Sequence, residues 1–194
     1  GSEEKLDMLQ YCVQTLTERG YVFIGMDHFA KPDDELSIAL KEGFLQRNFQ
    51  GYSTYADCDL VAIGVSSIGK IGSTYSQNER DIDAYYAALD AGHLPIMRGY
   101  QLNQDDILRR NIIQDLMCRF SLDYQIYESV FGIPFSRYFA AELEDMKQLE
   151  TLGLVRLKPH SLTVTPKGRF LIRNIAMVFD YHLRHKETKA KYSQ

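Results

Sequence analysis

The sequence has no tryptophan, few cysteines and no long apolar run. A membrane-spanning helix needs about 20 consecutive apolar residues, so no membrane contact is expected. Cys12, Cys58 and Cys118 are far apart, whereas a metal site on one short loop needs thiolates a few residues from one another. The cysteines are therefore interpreted as small, reduced side chains that hold no metal.

The chain also lacks an excess of positive charge. Its 194 residues include 22 lysines and arginines against 26 aspartates and glutamates, which gives a net charge of -4. General nucleic-acid binding normally needs a basic surface and is not expected here. Gly1 and Ser2 are interpreted as the remnant of an expression tag. No secretory signal follows them, and the expected location is the cytoplasm.

The first part of the chain has the pattern of a helix followed by a buried strand. Apolar residues from Leu6 to Leu16 follow a helical spacing, Gly20 can end the helix, and residues 21–26 form an almost wholly apolar run. This pattern is typical of the last αβ unit of a parallel sheet that is covered on both faces. Because such a strand needs neighbours, the chain is expected to begin inside a larger domain.

Polar residues with functional potential follow this strand. Asp27 and His28 come where α/β enzymes usually place binding and catalytic groups, so His28 is either a proton-transfer or substrate contact or a residue that ties the loop. A loop is predicted over 48–54, in which the Phe49 ring can stack on a ligand and Gln50 can donate and accept hydrogen bonds. Ligand binding by this loop is a second hypothesis.

The second half is predicted to be mainly helical. Short strands are expected over 59–63 and 96–102, a hairpin over 154–164, and helices over 79–91, 103–119, 123–130 and 134–152, with a final helix from Thr165. Helices followed by a hairpin and another helix resemble a winged-helix arrangement. Nucleic-acid binding is therefore an alternative function, although nearby acidic residues oppose it. The basic residues available for phosphate contacts are Arg109, Arg110, Lys167, Arg169 and Arg173.

Six segments carry a family resemblance. They are GMDHFAKPDDEL from Gly25, RNFQGYST from Arg47, DLVAIGVSSIG from Asp59, MRGYQLNQDDILRR from Met97, LDY from Leu122 and TPKGRFLIRNIAMVFDYHL from Thr165. In this order they resemble the oxygen-independent coproporphyrinogen III oxidases, radical S-adenosylmethionine enzymes of haem synthesis. The haem-chaperone relatives typically have an HNxxYW-like pattern in place of RNFQGYST. The resemblance favours the oxidase, with a chaperone-like relative as the alternative.

This resemblance implies a reaction and its cofactors. A 5'-deoxyadenosyl radical removes hydrogen from two propionates of coproporphyrinogen III, and these become the vinyl groups of protoporphyrinogen IX. In the family, a CxxxCxxC loop holds a [4Fe-4S] cluster that cleaves S-adenosylmethionine, and a second molecule of S-adenosylmethionine binds nearby. Phe49, Gln50 and Ile68 match the positions that contact this second molecule.

Substrate contacts are expected from three further residues, Arg98, His28 and Asp27. A guanidinium can grip a carboxylate with two hydrogen bonds, which makes Arg98 the preferred contact for a propionate. The other interpretation of Arg98 is a structural ion pair between domains. Coproporphyrinogen III is therefore the partner expected of the parent enzyme, with no nucleic acid and no membrane.

The CxxxCxxC loop does not occur in this sequence. We therefore expect a C-terminal fragment without bound cofactor or oxidase activity of its own. The expected fold is α/β plus mainly α: tag residues 1–2, the last αβ elements of a partial TIM-like barrel at 3–95, a helical winged-helix-like domain at 96–186 and a flexible tail at 187–194. A barrel cut through its sheet exposes a strand edge, so self-association is expected.

Overall fold

The computed structural model of the chain describes residues 2–55 and 58–185. The predicted tail at 187–194 and the first tag residue lie outside these ranges. In chain order the elements are α1 (Ser2–Glu18), β1 (Val22–Gly25), β2 (His28–Ala30), α2 (Glu35–Glu42), β3 (Gln46–Asn48), β4 (Gly51–Ser53), β5 (Ile68–Ile71), β6 (Thr74–Asn78), α3 (Ile82–Asp90), β7 (Ile96–Gln101), α4 (Gln104–Arg119), β8 (Ser121–Asp123), α5 (Tyr124–Phe131), α6 (Phe135–Tyr138), α7 (Ala140–Thr151), β9 (Val155–Lys158), β10 (Ser161–Val164), α8 (Pro166–Arg169), α9 (Ile172–Met177) and α10 (Tyr181–Arg184). The fold is a mixture of helices and small sheets, and within the described ranges no strands close into a barrel.

The N-terminal strands form two hairpins. β1 pairs antiparallel with β2, and β3 pairs antiparallel with β4. The apolar strand predicted for a parallel sheet therefore turns back on itself, because Met26 adopts a left-handed φ of 55° and the chain reverses there. The loop predicted over 48–54 is likewise wrong in part, since most of it belongs to β3, β4 and the tight turn between them.

The predicted helix over 103–119 is confirmed as α4. The backbone N–H of Asp106 donates to Asn103 Oδ1 at 2.9 Å, which satisfies an amide that the first helical turn leaves without a partner. Leu108, Ile112 and Leu116 follow at helical spacing and are buried. The apolar stripe of the sequence thus becomes the core-facing side of the helix.

Three other predicted elements are wrong in their extent. The helix expected over 134–152 is divided into α6 and α7, because Phe139 leaves helical geometry with φ −101° and ψ 31° and its ring is fully buried. The final helix from Thr165 is three short helices. Over 59–63, the chain makes one isolated bridge between Leu60 and Lys70, and Val61 and Ile63 are exposed.

A three-stranded sheet of order β8-β10-β9 supports the C-terminal helices. The hairpin predicted over 154–164 is confirmed as β9 and β10. Thr165 then ends the sheet and starts α8: its Oγ1 donates to the Gly153 carbonyl at 2.7 Å and accepts from the Gly168 amide at 3.0 Å. Gly168 lies so close to β9 that an added Cβ would overlap the Leu154 carbonyl oxygen and lie 2.9 Å from Val164 Cγ1.

Aromatic rings dominate the core. Tyr124 stacks on Phe135 with ring centroids 4.2 Å apart, Phe135 contacts Phe139 at 4.8 Å, and Phe139 contacts Phe179 at 5.5 Å. A buried ion pair lies beside these rings, where Arg109 Nη1 donates to Glu142 Oε1 at 2.8 Å. Large, rigid rings fill much volume at low entropic cost, so this cluster joins α5, α6 and the segment after α9.

The described residues form two compact units. The larger unit contains the residues up to 55 and those from Leu108 on, and the smaller unit contains residues 58–107. In the smaller unit, β6 lies between β5 and β7, and none of the hydrophobic side chains described there belongs to the buried core. This division differs from the domains 3–95 and 96–186 expected from the sequence, which stay a prediction about the longer protein. No helix in the part of the chain that the structure describes is long and apolar enough to cross a membrane.

Burial of tyrosines predicts a loss of stability at alkaline pH. Burial raises the pKa of Tyr52 and of Tyr124 to about 12, and burial with the hydrogen bond to Asp115 raises the pKa of Tyr127 further. Since the unfolded pKa is 10.0, these groups stabilise the fold fully below pH 10 and progressively less above it. We expect the free energy of unfolding in urea to fall between pH 10 and 12, and to fall less steeply in Tyr127→Phe. Ionisation of all tyrosines near pH 10 by a chain that keeps its native circular dichroism would contradict this prediction.

Candidate functional site

The two N-terminal hairpins lock into each other. The hydroxyl of Tyr52, on β4, lies against the backbone of Gly25, where an added Cβ would overlap it, and donates to the Met117 carbonyl at 3.1 Å. In return, His28 Nε2 would lie 3.0 Å from a Cβ at Gly51. Each hairpin therefore holds a glycine that makes room for a ring of the other. We call this arrangement the paired hairpins.

The rings of the paired hairpins form a small polar cluster. His28 contacts the Tyr52 ring edge-to-face at 5.1 Å, and the Arg47 guanidinium lies 4.8 Å from the centre of the same ring. Nδ1 of His28 is 2.8 Å from Asp27 Oδ1, and the Asp27 side chain is largely exposed. The predicted residues Asp27 and His28 are thus brought to the segment RNFQGYST by packing between strands.

Phe49 and Gln50 occupy the turn of the second hairpin. Phe49 is 52% exposed. The backbone N–H of Gln50 donates to Asn48 Oδ1 at 2.8 Å, which fixes the turn and leaves the Gln50 side chain exposed. A ring and an amide presented from a rigid turn are suited to stacking on a flat ligand and hydrogen bonding to it.

The close fit of the paired hairpins predicts that one added methyl group lowers the stability of the fold. Gly25→Ala is expected to lower the free energy of unfolding by about 2 kcal/mol, because Tyr52 is held by its own hydrogen bond and cannot move away without losing it. Urea denaturation followed by circular dichroism measures the change. Gly20→Ala is the matched control, since its φ of 83° is also positive but an added Cβ there meets no atom within 4 Å.

The double variant Gly25→Ala/Tyr52→Phe separates the contact from the backbone. Removal of the hydroxyl leaves the ring carbon Cζ at 3.1 Å from the added Cβ, so the second change should recover part of the loss. Equal losses in Gly25→Ala and Gly20→Ala would show that positive φ, and not the fit between the hairpins, explains the effect.

Ile68 and Arg98 share one row of the sheet in the smaller unit. Ile68 on β5 is paired with Gln77 on β6, and Gln77 is paired with Arg98 on β7. Directly opposite residues of antiparallel strands project from the same face. Two positions that are remote in the sequence, one expected to contact a cofactor and one a substrate, therefore lie on one face with Gln77 between them.

Gln77 holds the Arg98 side chain. Its Oε1 accepts from Arg98 Nε at 3.0 Å and from Nη2 at 2.7 Å, while its Nε2 donates to the Ser66 carbonyl at 3.1 Å. A neutral amide orients the guanidinium without cancelling its charge. The arrangement keeps an exposed positive charge directed by the sheet, which is what binding of a carboxylate requires.

The glycine turn before Ile68 is fixed by a buried amide. Asn78 is 4% exposed, and its Nδ2 donates to the carbonyls of Ala62 and Gly64 at 3.3 and 2.9 Å. Ser66 within this turn has a φ of 59°. Gly69, after this turn, packs closely on the chain before it, since an added Cβ would lie 3.1 Å from the Leu60 carbonyl oxygen.

The cysteines do not gather into a site. Cys12 and Cys58 are exposed and Cys118 is buried, and burial raises the pKa of the Cys118 thiol to about 12. A thiol that stays protonated at neutral pH is a poor metal ligand. Over residues 2–55 and 58–185 no group of three or more His, Cys, Asp or Glu side chains is arranged to hold a metal ion.

Sequence reasoning missed Tyr52, Gln77 and Asn78. Each acts through contacts between segments that no local pattern describes. Tyr52 was part of the segment RNFQGYST, and the glycine before it was a usable signal for close backbone approach. Gln77 and Asn78 gave no such signal, because a polar pair at the end of a strand is common in loops as well.

Comparison with known proteins shows what the chain is similar to. The family model for the HemN C-terminal domain matches residues 102–171. The chain is 49% identical over its whole length to an oxygen-independent coproporphyrinogen III oxidase of Synechocystis, and 46% identical over 99% of its length to that of Escherichia coli K12. A solved structure of the Escherichia coli coproporphyrinogen III oxidase, described as a radical SAM enzyme, matches 94% of the chain with a TM-score of 0.89 and 47% identity. The chain spans about 42% of the length of each of these proteins.

Proposed function

Because the chain belongs to the oxygen-independent coproporphyrinogen III oxidase family, whose C-terminal part it matches, we propose that it is part of an enzyme of haem synthesis. The parent enzyme converts two propionates of coproporphyrinogen III to vinyl groups by S-adenosylmethionine radical chemistry. The observation that carries this proposal is the similarity to named oxidases along the whole chain, at 46 to 49% identity. The segment RNFQGYST favours the oxidase over a haem-chaperone relative.

The chain's own residues fit a supporting part in this reaction. Phe49 and Gln50 would hold the second S-adenosylmethionine from the turn of the paired hairpins, the ring by stacking and the amide by hydrogen bonds. For Ile68, contact with S-adenosylmethionine is proposed from the family resemblance alone. When bound to a reduced cluster, S-adenosylmethionine supplies the 5'-deoxyadenosyl radical. The cysteines of this chain do not fit a [4Fe-4S] cluster, since the CxxxCxxC loop does not occur in the sequence and Cys118 is buried.

Substrate contacts are proposed for Arg98, His28 and Asp27. Arg98 is oriented by Gln77 and would bind a propionate carboxylate. The rim of the paired hairpins carries His28 beside Asp27, where a side chain can donate to or accept from a polar group of the substrate. In these roles the chain binds cofactor and substrate but does not form the radical. The chain alone is therefore expected to have no oxidase activity.

The finer architecture is also a proposal. The first 95 residues would complete a partial barrel in the longer protein, and the C-terminal helices would form a winged-helix-like domain. The order β8-β10-β9, with α4 before β8 and α7 before β9, supports the second part. Arg109 is buried against Glu142, and Lys167 Nζ donates to the Leu152 carbonyl at 3.1 Å, so both serve the fold and neither is placed for phosphate contacts.

A chimera tests the proposed function. In the Escherichia coli oxidase, the matching C-terminal portion would be replaced by this chain, and protoporphyrinogen formation would be assayed anaerobically with the cluster reconstituted. We expect activity from the chimera, a loss of about tenfold or more in Phe49→Ala and in Gln50→Ala, and none from the chain alone. An inactive chimera with a full cluster, or an active isolated chain, would reject the proposal.

The exposed apolar side chains of the smaller unit support self-association of the isolated chain. Ile63 and Leu94 are 84% and 78% exposed, and α3 buries none of its residues. Apolar surface of this kind favours contact with a second copy. Light scattering at increasing concentration should show a dimer or larger species, and a strict monomer would count against it. The cytoplasmic location likewise remains a prediction.

A further inference from the structure

A pocket in the larger unit remains unexplained by the proposed cofactor and substrate contacts. It lies between β3, α4 and the segment from α9 to the start of α10, and its volume is about 210 Å³. Ile113, Met117, Ala176 and Met177 give it apolar walls. Pockets for drug-sized ligands usually measure about 300–1,000 Å³, so this one suits a short arm or a small molecule.

Two arginines give the pocket its charge. Arg47 on β3 and Arg173 on α9 both line it, and neither forms an ion pair with a carboxylate among the described residues. By contrast, Arg109 and Arg184 in the same unit are paired with Glu142 and Asp145. Carboxylates therefore do pair with arginines elsewhere in this unit, whereas the described residues provide no such ion pair for Arg47 or Arg173.

Arg47 is also incompletely hydrogen-bonded. Its Nη1 is shielded from solvent and has no acceptor in the described part of the chain, although the guanidinium lies over the Tyr52 ring. A shielded donor without an acceptor costs free energy, which an arriving anion can offset through small side-chain movements. Beside it, Gln114 Nε2 donates to Gln46 Oε1 at 2.9 Å and joins α4 to β3.

The charge balance selects the class of ligand. Arg47 and Arg173 contribute two positive charges and Asp180 one negative charge, which leaves one positive charge in the lining. A monoanion neutralises this net positive charge. A phosphate dianion would leave a net negative charge in the pocket, next to the Asp180 carboxylate. The apolar walls require that the anion be attached to a hydrocarbon arm.

We propose that this pocket binds an alkyl monocarboxylate. The carboxylate is held by Arg47 and Arg173, and the alkyl arm packs against Met117, Met177 and their apolar neighbours. The source is either a propionate arm of a tetrapyrrole or a free short-chain acid. Only the first source rests on the proposed function, while the binding chemistry rests on the pocket alone.

Methyl NMR of the full 194-residue chain tests the proposal. With [13C]methyl-labelled methionine, propionate at constant ionic strength should give saturable shifts of Met117 and Met177 and leave the core residue Met146 unmoved. Neutral propionamide and inorganic phosphate are the comparison ligands and should have little effect. An equal response to propionamide, or a stronger one to phosphate, would overturn the proposal.

Substitutions assign the response to the two guanidiniums. Arg47→Gln and Arg173→Gln should each weaken propionate binding about fivefold or more, while the exposed Arg137→Gln should leave it unchanged. Binding that neither substitution weakens would reject the site. Arg173 is exposed on α9, so Arg173→Gln keeps the test decisive if Arg47→Gln disturbs the fold.

Coproporphyrin III separates the two sources of the carboxylate. If it shifts the same methyl groups and competes with propionate, the pocket holds a propionate arm. If propionate binds and coproporphyrin III does not, the pocket serves free short-chain acids, and the binding chemistry stands whether or not the proposed function does.

Discussion

Gly168→Ala should unfold the larger unit or leave it only marginally stable. Gly168 has ordinary helical geometry, so alanine would normally be favoured there by about 1 kcal/mol. The added methyl group, however, would overlap the Leu154 carbonyl oxygen and lie 2.9 Å from Val164 Cγ1. The Leu154 carbonyl is held by hydrogen bonds from the Thr165 amide at 2.9 Å and from Thr165 Oγ1 at 3.1 Å and cannot swing away as a free side chain can, so we expect a net loss of about 3 kcal/mol or more.

Thermal and urea unfolding of the purified variant measure this loss. The matched control is Gly153→Ala, a few residues earlier, where φ is 72° and an added Cβ meets nothing within 4 Å. That change should cost only about 1 kcal/mol, from the left-handed backbone. A stability of Gly168→Ala equal to or above that of the unsubstituted chain would show that α8 can move away from β9, and the close contact would then not be a constraint.

Removal of one partner from the buried ion pair should have an effect of similar size. The side chains of Arg109 and Glu142 are 10% and 7% exposed, and Arg109 also donates to the Phe179 carbonyl at 3.1 Å. Glu142→Leu removes the carboxylate that pairs with the buried Arg109 guanidinium at 2.8 Å, so we expect a loss of about 3–5 kcal/mol. Arg109→Met should cost a comparable amount, because it strands the carboxylate.

The double variant Arg109→Met/Glu142→Leu should cost much less than the sum of the two. With both charges gone, the remaining cost is mainly the Phe179 carbonyl without its donor, about 1–3 kcal/mol. Asp145→Asn is the control, since it breaks the more exposed pair with Arg184 and should change stability by less than about 1 kcal/mol. Additive losses in the double variant would mean that the two side chains act through packing and not through their charges.

The sequence predicted best the elements whose signals are local. The predicted helix over 103–119 is present as α4, and the predicted hairpin over 154–164 is present as β9 and β10. Such signals depend on a few neighbouring residues, so they indicate the same element whatever the rest of the fold is. The division of the helix at Phe139 depends instead on where Phe179 lies, and no pattern within 134–152 contains that information.

The candidate site divides in the same way. Asp27 and His28 stood out because they directly follow an apolar strand, and Phe49 and Gln50 because a loop presents their ring and amide. That His28 lies against Gly51 and Tyr52 against Gly25 follows from two hairpins that meet in space. Likewise, the row of Ile68, Gln77 and Arg98 is set by strand register, which a one-residue shift would destroy. The cofactor and substrate roles of these residues remain predictions.

The reciprocal fit of the paired hairpins implies epistasis between two distant stretches of the gene. A Cβ at Gly51 would lie 3.0 Å from His28 Nε2, so a larger residue there requires the His28 ring to move, and a different ring at Tyr52 changes the space that is left at Gly25. Loop grafting between this chain and similar proteins should therefore transfer GMDHF and NFQGY as one unit. If only one hairpin is exchanged, the ring of one protein packs against the glycine backbone of another, and the two surfaces no longer match.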